Sequence, residues 1–201
     1  MNCTGMPARL AIAVIAAVLP RTAICEEESP RWLVPTLHSA TLLLGMRVGA
    51  STLWPEAYDL TDVDSNWQAF KTGFQRAPAW NPDAAAFEWD GDPWPINALG
   101  HAAMGSELYL RHREAHHPWW SALGMTVLWS FAWEYLVEGW HKQPSGIDLL
   151  WTPLGGALLG ELRYRLYLEV RAMQESAGRH VLLYLLDPLA QAERDLFGLD
   201  Y

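Results

Sequence analysis

Two carboxylates lie four residues apart in an apolar, aromatic stretch, "SFAWEYLVEGW", which runs from Ser130 to Trp140. In a helix this spacing puts Glu134 and Glu138 on one face. A buried carboxylate is costly unless it meets a partner, and His101 on the preceding predicted helix can supply one. Two carboxylates and one imidazole can hold a divalent cation such as zinc with an open position. Alternatively, one buried glutamic acid could serve as an acid with His101 as the base. His101, Glu134 and Glu138 are therefore the candidate catalytic residues and the candidate metal ligands.

Polar or small residues recur at helical spacing on three successive predicted helices, and in an antiparallel bundle these stripes face one another. The stripes are Asn97, His101 and Gly105, then Thr126, Ser130, Glu134 and Glu138, then Asp148, Thr152, Gly156 and Gly160. We expect Asn97, Asp148, Thr152 and Glu161 to form a supporting polar network. Gly105, Gly156 and Gly160 are expected to let helices approach closely.

Structural explanations stay open for most of these residues. Ser145 and Asp148 have the spacing of a helix capping box. Glu134 and Glu138 could belong to a structural polar network that fixes helix register. Asp90 and Asp92 fit a turn followed by an N-cap at Asp92. The pair Glu114 and His117 has the Glu-x-x-His spacing of di-iron bundles, but its place in a solvated turn argues against a metal site.

Apolar periodicity predicts an all-α protein, a small antiparallel helical bundle that is membrane-associated or membrane-embedded. The predicted helices cover residues 34–54, 93–112, 119–139, 147–173 and 188–197, with a short amphipathic helix within 64–77. Pro153 is expected to kink the fourth long helix. Buried charges interrupt the apolar runs, so the helices either lie partly in a bilayer or form a periplasmic bundle with an apolar core.

The N-terminus has the layout of a secretory signal peptide. Arg9 precedes the apolar run of residues 10–19, and the small residue Ala23 and then Cys25 follow before three glutamates. An uncleaved anchor is the alternative. We predict a signal peptide at 1–25, a helix and a Trp/Pro/Asp-rich loop region at 26–88, a helical core at 89–175 and a C-terminal amphipathic helix at 176–201. Cys3 and Cys25 are the two cysteines, so the mature part has no disulfide framework.

The charge balance excludes one class of partner. The net charge is −9, and removal of Arg9 and Arg21 with the signal would make it about −11. Nucleic-acid binding needs clustered lysines and arginines, which this chain lacks. Twelve tryptophans suit either membrane interfaces and binding sites or a Trp-rich core.

Four segments together carry a family resemblance: "DGDPWPINALGHAAMGSELY", "SFAWEYLVEGW", "PSGIDLLWTPLGGALLGE" and "LLDP". They are similar to DUF3943, a bacterial family without an assigned activity. The matching positions are Asp90, Asp92, Asn97, His101, Gly105, Ser106, Trp133, Glu134, Tyr135, Glu138, Ser145, Asp148, Leu149, Thr152, Pro153, Gly156, Gly160 and Glu161. The resemblance implies an exported bacterial envelope protein. It adds weight to the inward polar stripes, because the two residue sets largely coincide.

Two functions follow as hypotheses. The first is a structural or assembly protein of the cell envelope, on the periplasmic side and membrane-associated, whose inward polar network fixes helix register. The alternative is a membrane-associated enzyme or metal-binding protein that acts on a lipid or another envelope component through His101, Glu134 and Glu138. A divalent metal is the candidate cofactor, and membrane lipid or envelope components are the expected partners.

Overall fold

The computed structural model describes residues 29–53, 55, 59 and 61–198. The described residues form seven α-helices and no β-strand, which confirms the predicted all-α class. The predicted signal peptide lies outside them. The helices are α1 (Leu33–Leu53), α2 (Val63–Gly73), α3 (His101–Glu114), α4 (Trp119–Ala132), α5 (Gly146–Arg171), α6 (Ala177–Leu186) and α7 (Pro188–Phe197).

Two π-helical segments interrupt the regular helices. One, Ile96–Gly100, leads into α3, and the other, Trp133–Val137, follows α4 and continues into a 3₁₀ turn, Glu138–Trp140. A π-helical turn closes its hydrogen bonds five residues apart, so it adds a residue to the turn and changes the helical register. Periodicity at 3.6 residues predicts neither segment.

Local signals explain several helix ends. Asp187 caps α7 by accepting the Ala190 N–H, and Pro188 takes the first helical position, so the predicted range 188–197 is the observed one. The sequence reading missed α6, although Ser176 caps it by accepting the Arg179 N–H. Asp92 does not act as the predicted N-cap. Its carboxylate contacts Lys142 instead, while the Trp94 N–H donates to Glu88.

The described chain divides into two compact units, residues 29–161 and residues 162–198, and the boundary falls within α5. In the larger unit, α1 and α4 pack on α3. Leu43, Met104, Leu108 and Trp133 form the apolar core there. Helices α3 and α5 meet at glycines, where a Cβ on Gly105 would lie 2.0 Å from the Thr152 carbonyl oxygen.

In the described part of the chain, no helix combines the length and the apolar character that crossing a membrane requires. Membrane embedding is therefore not supported by any single helix. Membrane association and the domain limits drawn from the sequence stay predictions.

Candidate metal centre

Three helical elements bring His101, Glu134 and Asp148 together. His101 is the first residue of α3, directly after one π segment, and Glu134 lies in the other π segment. Asp148 lies in the first turn of α5. One ligand atom from each side chain lies within 4.8 Å of the others, and all three residues are buried. π-helical turns occur frequently at functional sites, and here two of them border one cluster.

Both ring nitrogens of His101 have a polar side chain beside them. Its Nδ1 lies 2.8 Å from the Thr152 hydroxyl, and its Nε2 lies 3.5 Å from Asp148 Oδ2. The Thr152 hydroxyl orients the ring through its contact with Nδ1, so that Nε2 faces the carboxylates. This is the arrangement in which a second partner fixes the tautomer of a metal-binding histidine.

The start of α5 shows why Asp148 is free to serve the cluster. The Ser145 hydroxyl accepts the Asp148 N–H at 3.2 Å, as the predicted capping box requires. The reciprocal bond, however, comes from Glu134, whose Oε2 accepts the Ser145 N–H at 2.7 Å. The Asp148 carboxylate is thereby released from the capping role that its sequence position predicts.

Several oxygens of the cluster lack a hydrogen-bond donor of normal geometry. They are Glu134 Oε1 and both Asp148 carboxylate oxygens, each of them buried. The Ser145 hydroxyl is close enough to Asp148 to lower its pKa somewhat, although the two do not meet hydrogen-bond geometry. Buried polar atoms are normally paired, so three unsatisfied oxygens beside one imidazole point to a ligand.

Asn97 and Asp90 form the next layer. The Asn97 amide donates to Asp90 Oδ1 at 2.6 Å and to the Phe87 carbonyl oxygen at 2.8 Å. Asn97 itself is fully buried, and its Oδ1 has no hydrogen-bond donor. The sequence predicted Asn97 as a supporting residue but explained Asp90 as part of a turn. The recurrence of Asp90, Asp92 and Asn97 in the family pattern was the signal that could have linked them.

Lys142 faces a group of acids. Its Nζ lies 3.5 Å from Glu138 Oε1 and 3.8 Å from Asp90 Oδ2, and it also contacts Asp92. With Glu134 and Asp148, the cluster therefore holds five carboxylates and one lysine. Lys142 is not among the site residues predicted from the sequence, although its position four residues after Glu138 was a signal for an ion pair.

Burial and like charge set the protonation of the site. Burial raises the pKa of Asp148 to about 7, opposed by the Ser145 hydroxyl and supported by the charge of Asp90. Burial, with the charges of Glu138 and Asp148, raises the pKa of Glu134 well above its ordinary value. Burial and the Lys142 charge lower the pKa of His101 to about 4, so its imidazole is neutral at pH 7. A neutral imidazole is the form that binds metals.

Asp90 and Lys142, in contrast, are held in their charged forms. Burial opposes the ionisation of Asp90, but the nearby Ser145 hydroxyl and the hydrogen bonds from the Asp92 N–H and the Asn97 amide outweigh it and lower the pKa of Asp90. Burial likewise opposes the charge on Lys142, yet Glu138 and Asp92 raise its pKa. The cluster thus contains a charged Lys142 and a charged Asp90 beside acids that ionise reluctantly.

The remaining predicted site residues have other positions. Glu138 accepts the Trp133 indole N–H at 3.1 Å and pairs with Lys142, and it is not in the group of three ligand atoms. The Thr152 hydroxyl contacts His101. Glu161 accepts bonds from the Tyr109 hydroxyl and the Arg113 guanidinium, both at 2.9 Å, so its contacts are away from the cluster.

The turn that contains Glu114 and His117 is buried, not solvated as the sequence suggested. Glu114 accepts the Arg111 guanidinium at 2.8 Å. The two His117 ring nitrogens lie 2.9 Å from the Ser121 hydroxyl and from the Arg31 carbonyl oxygen. These contacts give the Glu-x-x-His spacing a structural role.

A groove of about 680 Å³ lies beside the cluster. Trp80 and Trp89 stack with ring centroids 4.9 Å apart in its wall, and Asp90 and Gln143 also line it. Because Asp90 belongs to both the groove and the polar cluster, the groove is the candidate route by which solvent or a ligand reaches the cluster.

Fold and site together define an all-α protein with a buried cluster of one histidine and several carboxylates between three helical elements. Residues 86–189, slightly more than half of the chain, match the family DUF3943, described as a domain of unknown function. The chain belongs to this family. No curated protein and no solved structure matches it.

Proposed function

We propose that this protein binds a divalent cation at His101, Glu134 and Asp148. The observation that carries the proposal is the set of unsatisfied buried oxygens, Glu134 Oε1 and both Asp148 oxygens, beside a neutral imidazole. These proposed ligands differ from those of the sequence hypothesis, because Asp148 takes the place of Glu138. One nitrogen and two carboxylates suit zinc, manganese or ferrous iron.

The excess of negative charge in the cluster favours the binding of a cation. Asp90, Asp92, Glu134, Glu138 and Asp148 would together carry five negative charges against the single charge of Lys142. Without a metal, protons on Glu134 and Asp148 relieve the repulsion, as their raised pKa values require. A divalent cation would displace those protons, so binding is expected to strengthen as the pH rises. The metal-free protein is expected to stay folded.

Three protein ligands leave coordination positions for water or a substrate. We therefore keep metal-assisted chemistry on a lipid or envelope component as part of the proposal, with the groove at Asp90 as the route of access. In that case His101, Glu134 and Asp148 hold the ion, Thr152 orients His101, and Asn97 positions Asp90.

The second candidate function is structural. Glu134 ties its π segment to the start of α5 through the Ser145 N–H, and Glu138 joins Trp133 to Lys142. These bonds favour a register-fixing network in an envelope assembly protein. The two functions predict different effects of Glu134→Gln. A glutamine can still accept the Ser145 N–H and carries no charge, so a metal site predicts a folded variant that has lost the metal.

The experiment is a zinc and manganese titration of EDTA-treated protein by calorimetry, with metal content measured by elemental mass spectrometry. Wild type should bind about one ion per chain, and folded Glu134→Gln and His101→Ala should bind none. Glu138→Gln is the matched control, a buried acid in the neighbouring turn that should keep the metal. Folded wild type without metal, or equal loss in Glu138→Gln, would refute the site. Unfolding of Glu134→Gln together with metal-free wild type would favour the structural role.

We also propose export to the cell envelope, on the basis of the signal-like segment of residues 1–25 and the family resemblance. A fusion of these residues to a reporter that is active only outside the cytoplasm tests it. An inactive fusion that is nonetheless expressed would contradict the proposal.

A further inference from the structure

The charged residues of four helical stretches are all turned inward. The stretches are residues 33–53, 94–112, 119–140 and 146–160 of the larger unit. Every aspartate, glutamate, lysine and arginine in them is buried: Arg47, Glu107, Arg111, Glu134, Glu138 and Asp148. The outward surface of these stretches therefore carries no ionisable acid, lysine or arginine.

Large apolar side chains take the outward positions. Leu150, Leu154 and Leu158 follow one another at four-residue spacing on α5 and are 54%, 60% and 76% exposed. On α4, Val127, Leu128 and Phe131 are exposed, and on α1 the exposed set includes Leu37, Leu44 and Val48. Large exposed apolar patches are rare on monomeric proteins in water.

The interior shows the reverse composition. Asn97, Arg111 and Asp148 are fully buried, with the cluster of acids around Lys142 beside them. Inward polar residues lower the mean hydropathy of α1 and α5, whereas α3 and α4 have only 14 residues each, so no described helix combines the length and the apolar character that crossing a membrane requires. The outward half of each helix is therefore more apolar than the mean hydropathy of the whole helix indicates.

Tryptophans stand at the helix ends. Trp32 precedes α1, Trp94 begins the stretch that leads into α3, and Trp119 and Trp120 begin α4. All four are about half exposed or more. Tryptophan favours the boundary between an apolar phase and water, because its ring is apolar and its indole N–H is polar.

We propose that the uncharged outer surface of these four stretches contacts the acyl chains of a lipid bilayer. A folded protein partner would meet a polar rim around an apolar patch. Here the ionisable side chains are absent from the outward side of all four stretches, as acyl chains require. The inference deepens the membrane association predicted from the sequence and does not depend on the metal site.

The test uses tryptophan fluorescence of the full chain with phosphatidylcholine vesicles whose acyl chains are brominated, compared with unbrominated vesicles. Bromine quenches only tryptophans close to the acyl chains. All twelve tryptophans follow residue 31, so the signal does not arise from the apolar run of residues 10–19. Wild type should lose fluorescence in brominated vesicles alone.

Leu154→Lys/Leu158→Lys should lose this quenching, because two lysines would have to enter the acyl-chain layer. The matched control is Ala85→Lys/Ala86→Lys, which adds the same charge at exposed loop positions and should be quenched like wild type. Circular dichroism and a cooperative urea-unfolding transition establish that both variants are folded. Unquenched wild type, equal quenching of the leucine variant, or a wild-type dimer that ignores vesicles would overturn the proposal.

Discussion

At the scale of single residues, the role of each buried acid follows from which partners already satisfy it. Glu138 has the Trp133 indole and Lys142, so its burial is explained within the protein. Glu134 satisfies one oxygen at the Ser145 N–H and leaves the other without a donor, and Asp148 leaves both. Glu134 and Glu138, which the sequence places on one helical face, thus differ in how far their oxygens are satisfied.

His112 should make the protein less stable in acid. Burial, and then the charges of His117, His38 and Arg111, lower its pKa from 6.5 to about 4, and its Nε2 accepts the Trp129 indole N–H. The unfolded chain then binds a proton more readily than the folded one. The contribution of neutral His112 to the free energy of unfolding is therefore fully present above pH 6.5 and is lost as the pH decreases toward 4.

Between pH 7 and pH 5 this linkage amounts to about 2 kcal/mol. Urea unfolding of wild type and His112→Gln at both pH values measures it. The glutamine can accept the Trp129 N–H but does not titrate, so its loss of stability should be smaller by about this amount. Equal losses in the two proteins would show that His112 does not contribute.

Arg111 should be among the costliest residues to replace. It is fully buried, and its guanidinium donates to Glu107 at 2.7 Å and to Glu114 at 2.8 Å. Arg111→Met removes the positive charge between two buried carboxylates, and we expect a loss of about 3–5 kcal/mol at pH 7 by urea unfolding. Adding Glu107→Gln should recover part of that loss. A cost below 1 kcal/mol would contradict this account.

At the scale of elements, the approach of α3 to α5 positions the cluster. Gly105 lies against Thr152 and Gly156, and Thr152 in turn holds His101. A side chain at Gly105 would therefore disturb both the packing of two helices and the orientation of His101, a candidate metal ligand. Packing and site are coupled here through Thr152, whose carbonyl oxygen lies against Gly105 and whose hydroxyl contacts His101.

Gly105→Ala should destabilise the protein by about 1–3 kcal/mol or more, because its Cβ would lie 2.0 Å from the Thr152 carbonyl oxygen. It should also weaken zinc binding in the same calorimetric titration. Gly124→Ala is the control, since nothing lies within 4 Å of its Cβ in α4. There the change should stabilise by about 0.5–1 kcal/mol, because alanine favours helix more than glycine does. Similar effects at both positions would refute the close approach.

At the scale of the whole molecule, polar groups are concentrated inside the larger unit and apolar groups on its outward helical surfaces. A water-soluble fold buries apolar side chains to gain stability. The interior of the larger unit combines an apolar core with buried polar groups, and several oxygens of the cluster have no hydrogen-bond donor, so a bound ion should contribute visibly to stability.

Zinc should raise the thermal unfolding temperature. At a free concentration one hundred times Kd, binding adds about 2.7 kcal/mol, which for a chain of this size corresponds to roughly 5–10 °C. Differential scanning calorimetry with and without EDTA measures the shift. Glu138→Gln should keep it and Glu134→Gln should lose it. A shift that survives Glu134→Gln would place the ion elsewhere.

The sequence determined the helical class, most helix positions, the family and the identity of His101, Glu134, Asn97, Asp148 and Thr152 as inward polar residues. These features depend on local chemistry, namely the apolar period, caps such as Asp187 and Pro188, and residue types at fixed spacing. They can be read from the chain because each involves residues within one helix or turn.

Only the tertiary structure decided which of those residues meet. The π segments change the register, so a 3.6-residue projection could not separate Glu134 from Glu138. Glu134 takes the capping role of Asp148 through the backbone of Ser145, and Lys142 joins the acids from a turn. These contacts link residues of different elements, and their geometry depends on how the helices pack rather than on spacing along the chain.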